Sequence, residues 1–502
     1  MTLPVHVSVA VIGSGFAGLG TAICLKQAGR HDFVVLERAS DVGGTWRDNS
    51  YPGCACDVPS HLYSFSFAPN PSWSRSFSPQ PEIQAYLRRT ARASGVLPHV
   101  QFDTELLDAS WQPEQQRWRL STTRGELTAD VVVVGTGPLS EPTTPDLKGL
   151  SSFEGTTFHS ARWDHSWSPK GRRVAVIGTG ASAIQFVPHL QPDAARLVLF
   201  QRTAPWVLPR VDRSISRFEQ RLYARLPLLQ KAVRAAIYSG RESHLIGFRY
   251  NQRLMRLAEK LATNNLEKQV ADPVLRAKLT PQFTLGCKRV LLSSTYYRAL
   301  AAPNADVVTD PIVEVVTNGV VTEAADGTRS THEVDTIVFG TGFHVTDPPV
   351  AQRIRVGGRS LTEHWATGGM QALHGLAVHG FPNLFFLVGP NTGLGHNSIV
   401  LMIEAQIGHL LKALDAMDAG GFGQLEARAD VQASYNARLQ RELAKTVWNR
   451  GGCQSWYLDE AGRNTTLWPT FTWIFRRELA DFSLAEYDVA PRLGRRAATR
   501  SA

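Results

Sequence analysis

The chain has 502 residues, too many for one ordinary hydrophobic core, so we expect roughly two to four domains of about 100 to 200 residues each. Its hydrophobic fraction of 43% and charged fraction of 19% are typical of a soluble globular protein. Lys and Arg outnumber Asp and Glu by 53 to 44, but no dense basic block precedes the C-terminal tail. This charge suits an anionic cofactor and argues against a nucleic-acid partner.

The cysteines are few, odd in number and scattered, which argues against a disulfide framework and favours a reducing compartment. They are Cys24, Cys54, Cys56, Cys287 and Cys453. The apolar N-terminus is interrupted by glycines and has no basic segment before it, so it predicts neither a signal peptide nor a membrane span. We therefore expect a cytoplasmic protein, and we predict no metal site.

A dinucleotide-binding fingerprint opens the chain. Residues 5–12 predict a buried strand, followed by the turn Gly13-Ser14-Gly15-Phe16-Ala17-Gly18, a helix to about Gly29 and a second strand ending at Glu37. In this pattern the glycines allow a tight turn, close approach of a pyrophosphate and close helix packing, and the carboxylate accepts from ribose hydroxyls. Because a carboxylate repels a 2′-phosphate, the site favours FAD or NAD over NADP.

A loop rich in glycine, proline and aromatic residues follows, from Asp41 to Trp73. Long loops inside compact proteins are usually functional, although the aromatic residues could also serve only for packing. Within it, Asp57 is either a site residue or the N-cap of a helix beginning near Pro59.

The first sheet should close with hairpin strands at 111–120 and 126–129 and with the apolar strand Val131–Val134, which enters a glycine turn at Gly135 and Gly137. Prolines then mark a linker. The next stretch, FEGTTFHSARWD at 153–164, has neither helical nor strand periodicity, and we interpret it as a shaped connector.

A second fingerprint follows at 172–183, with a strand, the turn Gly178-Thr179-Gly180-Ala181-Ser182-Ala183 and a helix to about Leu190. The next strand ends in Gln201-Arg202-Thr203, where no carboxylate occurs. Arg202 and Thr203 can bind a 2′-phosphate by charge-assisted hydrogen bonds, so NADPH is favoured over NADH. The alternative is a solvated arginine at a strand end.

Residues 210–280 predict a helical insertion with basic amphipathic faces, broken at Pro227 and Pro273. Those faces could touch an acidic membrane surface weakly, but a solvated outer face is the simpler interpretation. Beyond the insertion lie Lys288 and Arg289, which matter chemically only if they face the cofactor crevice, and then glycine turns after strands at 334–339 and 384–388. The tail from 491 to 502 is predicted to be disordered.

By these motifs the chain resembles the flavoprotein monooxygenases with two dinucleotide folds, and among them the type I Baeyer–Villiger monooxygenases. The stretch at 153–164 matches that family's fingerprint FxGxxxHxxxW(P/D) at Phe153, Gly155, His159, Trp163 and Asp164. Further matching motifs are GGTW, YPGCACD, FQRT, CKR, GTGF and GPNTGLGHNS.

The resemblance implies an α/β fold in which an NADP domain and a helical segment are inserted into an FAD domain. The implied FAD domain comprises 1–144 and 340–490, the NADP domain 145–209 and 284–339, and the helical insertion 210–283. The resemblance also implies two cofactors, FAD and NADPH. The residues implied to bind FAD are Gly13, Gly15, Phe16, Gly18, Glu37, Gly44, Thr45, Trp46, Asp57 and Tyr63. Those implied to bind NADPH are Gly178, Thr179, Gly180, Ser182, Arg202, Thr203, Lys288 and Trp456.

The implied reaction inserts one oxygen atom of O₂ beside a ketone carbonyl by way of a C4a-peroxyflavin, giving an ester or lactone. Arg289 matches the family's active-site arginine, and Asp57 matches the carboxylate that positions it. The implied partners are a small ketone and O₂, and the chain is expected to be a monomer or homo-oligomer. An N- or S-oxygenating monooxygenase is the alternative, and a flavin reductase that does not oxygenate is a third reading.

Overall fold

The computed structural model describes residues 2–251 and 253–493. The strands, in chain order, are β1 (His6–Ile12), β2 (Phe33–Leu36), β3 (Val100–Gln101), β4 (Leu106–Gln112), β5 (Arg117–Thr122), β6 (Gly125–Val134), β7 (Thr156–His159), β8 (Arg173–Ile177), β9 (Arg196–Phe200), β10 (Val207–Leu208), β11 (Leu291–Leu292), β12 (Ala305–Val308), β13 (Ile312–Val316), β14 (Gly319–Glu323), β15 (Arg329–Glu333), β16 (Thr336–Phe339), β17 (Ile354–Val356), β18 (Arg359–Ser360), β19 (Leu384–Phe386), β20 (Phe422–Ala427) and β21 (Tyr487–Pro491).

The α-helices are α1 (Phe16–Gln27), α2 (Thr45–Asp48), α3 (Gln80–Ala93), α4 (Ala183–Leu190), α5 (Arg217–Arg225), α6 (Pro227–Leu245), α7 (Arg253–Gln269), α8 (Pro273–Lys278), α9 (Tyr296–Leu300), α10 (Leu361–Trp365), α11 (Ile399–Gly420), α12 (Ala429–Leu443), α13 (Val447–Arg450) and α14 (Thr472–Glu478). A π-helical turn at Ile246–Tyr250 follows α6.

The first large sheet is parallel at its centre, where β3, β2, β1, β6 and β19 lie side by side. Ile12 pairs with both Leu36 and Val134, so these three strands end at the same level. The residues that follow them are Gly13, Glu37 and Gly135. Parallel strands therefore bring all three to one edge of the sheet, which is where open α/β sheets bind ligands.

The hairpin in this sheet differs from the prediction. A turn after Gln112, where Pro113 cannot donate a ladder hydrogen bond, divides the predicted strand at 111–120 into the ends of β4 and β5. The predicted segments at 126–129 and 131–134 form one long strand, β6. Its first half pairs with β5 and its second half pairs with β19.

The second large sheet is parallel throughout, in the order β12-β9-β8-β16-β7. Its edge strand, β7, comes from the stretch at 153–164. The interpretation of that stretch as a connector without strand structure was therefore wrong over Thr156–His159. This edge strand is held by parallel hydrogen bonding to one neighbour, β16, so it needs no alternating pattern of its own.

The chain enters the second sheet after β6 and returns to the first sheet at β17, so one dinucleotide-binding fold is inserted in the other. Helices α5–α8 lie between β10 and β11 as the helical insertion. The predicted fold class is confirmed. Pro227 and Pro273 each occupy the first turn of a helix, α6 and α8, where a missing N–H costs nothing.

Among residues 2–251 and 253–493, no helix is both long enough and apolar enough to cross a membrane. Of the predicted disordered tail, Pro491 ends β21, and residues 494–502 lie outside the described residues.

Two of the five cysteines differ from the prediction. Cys287 and Cys453 form a disulfide although 166 residues separate them, and their Cα atoms lie 6.1 Å apart. The prediction against disulfides was wrong for this pair, because so long a separation gives no sign that the two segments meet. Cys24, Cys54 and Cys56 are free thiols.

Candidate active site

The first glycine turn is packed on one side and open on the other. Gly13 has a φ of +93°, and a Cβ added at Gly18 would lie 1.8 Å from the Gly13 carbonyl oxygen. A Cβ added at Gly15, in contrast, would meet only Gly44, at 3.7 Å. Gly15 is also the N-cap of α1 and has no side chain to satisfy the helix's first N–H groups. The turn therefore presents bare backbone donors, which fits a pyrophosphate.

Glu37 lies beside this turn and is only 3% exposed. One carboxylate oxygen accepts from the Ser14 N–H at 2.9 Å and from the Ser14 hydroxyl at 2.6 Å. Arg47 approaches the other oxygen to 2.9 Å. Sequence reasoning found Glu37 but missed Ser14 and Arg47, which fix its orientation.

The residues predicted near the flavin ring form an aromatic cluster at the start of the loop. The Trp46 indole N–H donates to the Tyr63 hydroxyl at 3.0 Å. The Phe16 ring packs on the Tyr63 ring with a centroid separation of 5.1 Å. Thr45 and Trp46 begin the short helix α2 directly after Gly44, whose φ is +53°. The structure thus brings the predicted FAD residues together around one open turn, and their arrangement fits FAD.

The second glycine turn repeats this arrangement at the carboxyl end of the second sheet. Gly178 has a φ of +108°, and a Cβ there would lie 2.4 Å from the Gly340 carbonyl oxygen. A Cβ at Gly180 would meet only that oxygen, at 3.9 Å. Ser182 is the N-cap of α4 but makes no capping hydrogen bond, so the helix N–H groups remain available to an anion.

A cationic group stands beside the second turn. Lys288 Nζ donates to Thr203 Oγ1 at 2.9 Å, and Thr179 Oγ1 donates to the Thr203 carbonyl oxygen at 3.2 Å. Burial, together with the nearby Arg202 cation, lowers the pKa of Lys288. Two cations held this close repel each other, and a doubly charged phosphate between them would relieve the repulsion. This set fits the 2′-phosphate of NADPH.

Asp57 and Arg289 form a bidentate ion pair, although 232 residues separate them. Arg289 Nε donates to one Asp57 oxygen at 2.6 Å and Nη2 donates to the other at 2.7 Å. Burial opposes ionisation of Asp57, but the charge and hydrogen bonds of Arg289 outweigh it and lower the pKa of the carboxyl. The Asp57 charge raises the pKa of Arg289. No helix begins near Pro59 in the described part of the chain, so Asp57 is the ion-pair partner of Arg289 and not a helix N-cap.

Trp456 and its neighbour Tyr457 differ in solvent exposure. Trp456, the predicted nucleotide contact, is 43% exposed, and its ring packs against that of Tyr457 with a centroid separation of 4.4 Å. Tyr457 is 1% exposed, and the charged groups that act on its hydroxyl are those of Arg289 and Asp57. Burial raises the pKa of Tyr457 to about 12, so it is a proton donor at neutral pH. Sequence reasoning missed Tyr457, for which adjacency to Trp456 was the only signal.

The Cys287–Cys453 disulfide connects the two segments that carry these groups. Cys287 directly precedes Lys288 and Arg289, and Cys453 lies three residues before Trp456. The disulfide therefore limits how far the arginine and the tyrosine can move apart.

The residues of the 153–164 fingerprint serve packing. Trp163 contacts Phe186 on α4 at a centroid distance of 5.5 Å and Tyr51, from the loop of the first domain, at 6.5 Å. His159 Nδ1 accepts from the Ala161 N–H at 3.0 Å, and its ring faces Phe343. Gly155 must be glycine, because a Cβ there would lie 2.5 Å from both the Asp335 carbonyl oxygen and the Phe153 ring. The Asp164 carboxylate accepts from the Ser166 N–H.

Comparisons with known proteins agree with this geometry. The flavin-binding monooxygenase-like family model matches residues 6–356. A Baeyer–Villiger monooxygenase of Streptomyces coelicolor is 55% identical over 487 residues, which cover 96% of this chain and 93% of that protein. A Baeyer–Villiger monooxygenase of Pseudomonas aeruginosa is 50% identical over 486 residues, covering 96% and 91%. The structure of cyclohexanone monooxygenase from Rhodococcus sp. Phi1 bound to NADP⁺ superposes with a TM-score of 0.86 at 27% identity, covering 97% of this chain and 100% of that one.

Proposed function

This chain belongs to the flavin-binding monooxygenase-like family and is a Baeyer–Villiger monooxygenase that uses FAD and NADPH, and we propose that Arg289, held by Asp57, is the group on which its oxygenation of ketones depends. The bidentate pair carries this proposal. It holds a permanent cation in a fixed orientation directly after Lys288, which donates to Thr203.

Arg289 can stabilise negative charge that develops on oxygen without giving up a proton. A guanidinium is charged throughout the working pH range, and Asp57 raises the pKa of this one further. During addition to a ketone, negative charge develops on the carbonyl oxygen, and a preoriented cation in a site with little water lowers the free energy of that state. Arg289 is therefore proposed as the electrostatic stabiliser.

Asp57 is proposed to orient Arg289 rather than to react. Its two oxygens both accept from the guanidinium, and its lowered pKa keeps it ionised at neutral pH. Two parallel hydrogen bonds fix the plane of the arginine as well as its position.

The cofactors are proposed to bind at the two glycine turns. Gly13, Gly15 and Glu37 would hold the pyrophosphate and ribose of FAD, while Gly180, Arg202 and Lys288 would hold NADPH. The chemistry supplied by the bound cofactors is hydride transfer and activation of O₂, from which one oxygen atom enters the ketone and the other leaves as water.

We further propose a cytoplasmic location, because buried thiols such as Cys54 and Cys56 are free and NADPH is abundant there. A disulfide such as Cys287–Cys453 is less common in that compartment. Finding these two cysteines reduced in the purified protein would therefore agree with a cytoplasmic location.

The Arg289→Ala variant tests the proposed role. It should retain FAD and oxidise NADPH while ester formation falls about 10²- to 10³-fold, because the loss of one preorganised stabilising group commonly has that effect. Ester, NADP⁺ and hydrogen peroxide are measured together, so that uncoupled oxidation is visible. Exposed Arg298 on α9 provides the control Arg298→Ala, which should behave as wild type. Ester formation by Arg289→Ala at nearly the wild-type rate would exclude the role.

A further inference from the structure

Helix α6 of the helical insertion turns a polar stripe toward the protein. Gln230, Arg234, Tyr238 and Arg241 recur every three or four residues, which places them on one face of the helix. All four are at least partly buried, whereas Lys231 lies next to them on the outer face and is exposed. The inner face of α6 is thus hydrogen-bonding where an amphipathic helix is normally apolar.

Three of these side chains keep donors that nothing in the described part of the chain accepts. Arg234 Nη1 donates to the carbonyl oxygens of His61 at 2.9 Å and Leu62 at 3.1 Å, but its Nη2 is buried without a partner. Arg241 Nε is likewise buried without a partner. The Tyr238 hydroxyl interacts with the Arg476 guanidinium, which can only donate, so the Tyr238 O–H still has no acceptor among the described residues. Gln230, in contrast, donates to the Asn70 carbonyl oxygen at 2.7 Å. Buried donors without acceptors are costly, so three on one helix face call for an occupant.

The stripe continues into the candidate active site. Arg241 interacts electrostatically with Asp57 and Arg289, yet both Asp57 oxygens already accept from Arg289. At the other end Arg234 interacts with Glu404, which burial shifts toward its neutral form by raising its pKa. Arg234 and Arg476 thus face the single carboxylate Glu404, and Arg241 and Arg289 face the single carboxylate Asp57. Positive charge therefore exceeds negative charge along the stripe, and its occupant should be an anion.

The cofactors do not account for this excess. Their charged groups are phosphates, and the residues that fit them lie at the two glycine turns on the sheets. The described hydrogen bonds of Arg234 go to His61, Leu62 and Ser64, in the loop that follows Asp57. The anion that fits the stripe must therefore enter with the substrate.

We infer that the stripe of Arg234, Tyr238 and Arg241 binds an acidic group on the ketone, so that the substrates of this enzyme are oxo acids. This inference rests on the proposed function of the Asp57–Arg289 pair. A guanidinium presents a planar fork that matches a carboxylate, and the tyrosine adds an O–H donor. A carboxylate beside Arg234 and Tyr238 thus accepts from two of the unpaired donors, while Arg241 adds positive charge at the other end of the stripe.

The length of the stripe sets the kind of oxo acid. Arg234 and Arg241 are separated by about 10 Å along the helix axis, at a rise of about 1.5 Å per residue. Because Arg241 marks the end next to Arg289, a carboxylate bound near Arg234 and Tyr238 would be separated from the carbonyl group by about the length of a chain of several carbon atoms. In the reaction, O₂, NADPH and one proton convert the keto group to an ester, with NADP⁺ and water as the other products. The carboxylate remains unchanged.

The test uses two ligands. One is the anion of oxodecanoic acid that has its keto group on the penultimate carbon, and the other is the methyl ester of that acid, which has the same chain but no charge. Binding of each to the oxidised FAD-loaded enzyme is measured by equilibrium dialysis, and the kcat and KM for oxygenation are measured separately. We expect the wild-type enzyme to bind the acid at least about tenfold more tightly than the ester. In Arg234→Met, binding of the acid should weaken about tenfold or more while binding of the ester stays unchanged.

Lys231→Met is the matched control, because it removes a cation from the outer face of the same helix, and it should leave both affinities unchanged. Equal affinity of the wild-type enzyme for acid and ester would overturn the inference, as would equal weakening of both ligands in Arg234→Met. If the ester is oxygenated but the acid is not preferred, the inference fails and the proposed function stands. If the acid is bound preferentially but neither compound is oxygenated, the binding site stands and the proposed function fails.

Discussion

At Arg289 the geometry of the side chain matters as much as its charge. The guanidinium uses Nε and Nη2 to hold both oxygens of Asp57 and keeps further N–H donors free for a substrate oxygen. A lysine has one ammonium group, which could not span the carboxylate and donate to a substrate in the same plane. The pair therefore explains why position 289 is an arginine. At position 288 a lysine is sufficient, because a phosphate can be bound by a point charge.

Arg202 provides a prediction about coenzyme choice. Arg202→Ala should raise the KM for NADPH about 10- to 100-fold and leave the KM for NADH nearly unchanged, because only NADPH carries the 2′-phosphate that the arginine would bind. Initial rates with each coenzyme give both values. Arg172→Ala removes an exposed arginine before β8, at the opposite end of the strand from the glycine turn, and should change neither. A loss of equal size for both coenzymes would show that Arg202 does not distinguish them.

At the scale of elements, β7 and the residues after it couple the two dinucleotide folds. β7 pairs with β16 at the edge of the second sheet, and Trp163 then packs between α4 and Tyr51 of the first domain. The fingerprint residues contact one another and these neighbours rather than Asp57 or Arg289. We therefore interpret the stretch as a structural coupling of the domains.

His159 in this element should make the protein sensitive to acid. Burial, aided by the Arg162 charge, lowers the pKa of His159 from 6.5 to about 4. Below pH 6.5 the unfolded chain takes up a proton that the folded protein resists, so the free energy of unfolding should decrease as the pH falls from 6.5 to 4. His159→Asn keeps an acceptor for the Ala161 N–H but does not titrate, so it should reduce this decrease. Urea unfolding at several pH values measures it, and parallel curves for variant and wild type would contradict the assignment.

The Cys287–Cys453 disulfide should stabilise the protein. Replacing both residues by serine should lower the free energy of unfolding by about 2 to 5 kcal/mol, the usual cost of losing a native disulfide, since the closed loop is long. It should also weaken NADPH binding, because Lys288 is anchored next to Cys287. Thermal unfolding and coenzyme titration check the two effects, and Cys24→Ser, at a free thiol, is the control. Stability equal to wild type under oxidising conditions would show that the bond contributes nothing.

At the scale of the whole molecule, what could be predicted from the sequence depended on local patterns. The run Val131–Val134, the two glycine turns and the position of Glu37 each follow from neighbouring residues, and the structure contains them as predicted. Tyr457, the α6 stripe and the disulfide could not be found this way. Each depends on segments more than a hundred residues apart meeting in space, and no periodicity within one segment records its partner.

The Asp57–Arg289 pair lies between these cases. No local pattern links residues 232 positions apart, and only the family's motifs suggested that the two side chains act together. The structure brings them into direct contact, whereas Trp456, identified in the same way, is 43% exposed. The resemblance therefore indicated which side chains to compare, and the contact between two of them could be seen only in the structure.

As a Baeyer–Villiger monooxygenase, this enzyme should insert one atom of O₂ beside a ketone carbonyl. The most direct measurement is incubation of the FAD-loaded protein with NADPH, a ketone and isotopically heavy O₂, followed by mass spectrometry of the product. We expect an ester or lactone that contains one heavy oxygen atom and is formed in proportion to the NADPH consumed. Consumption of NADPH with release of hydrogen peroxide and unchanged ketone, across a panel that includes oxo acids and neutral ketones, would contradict it.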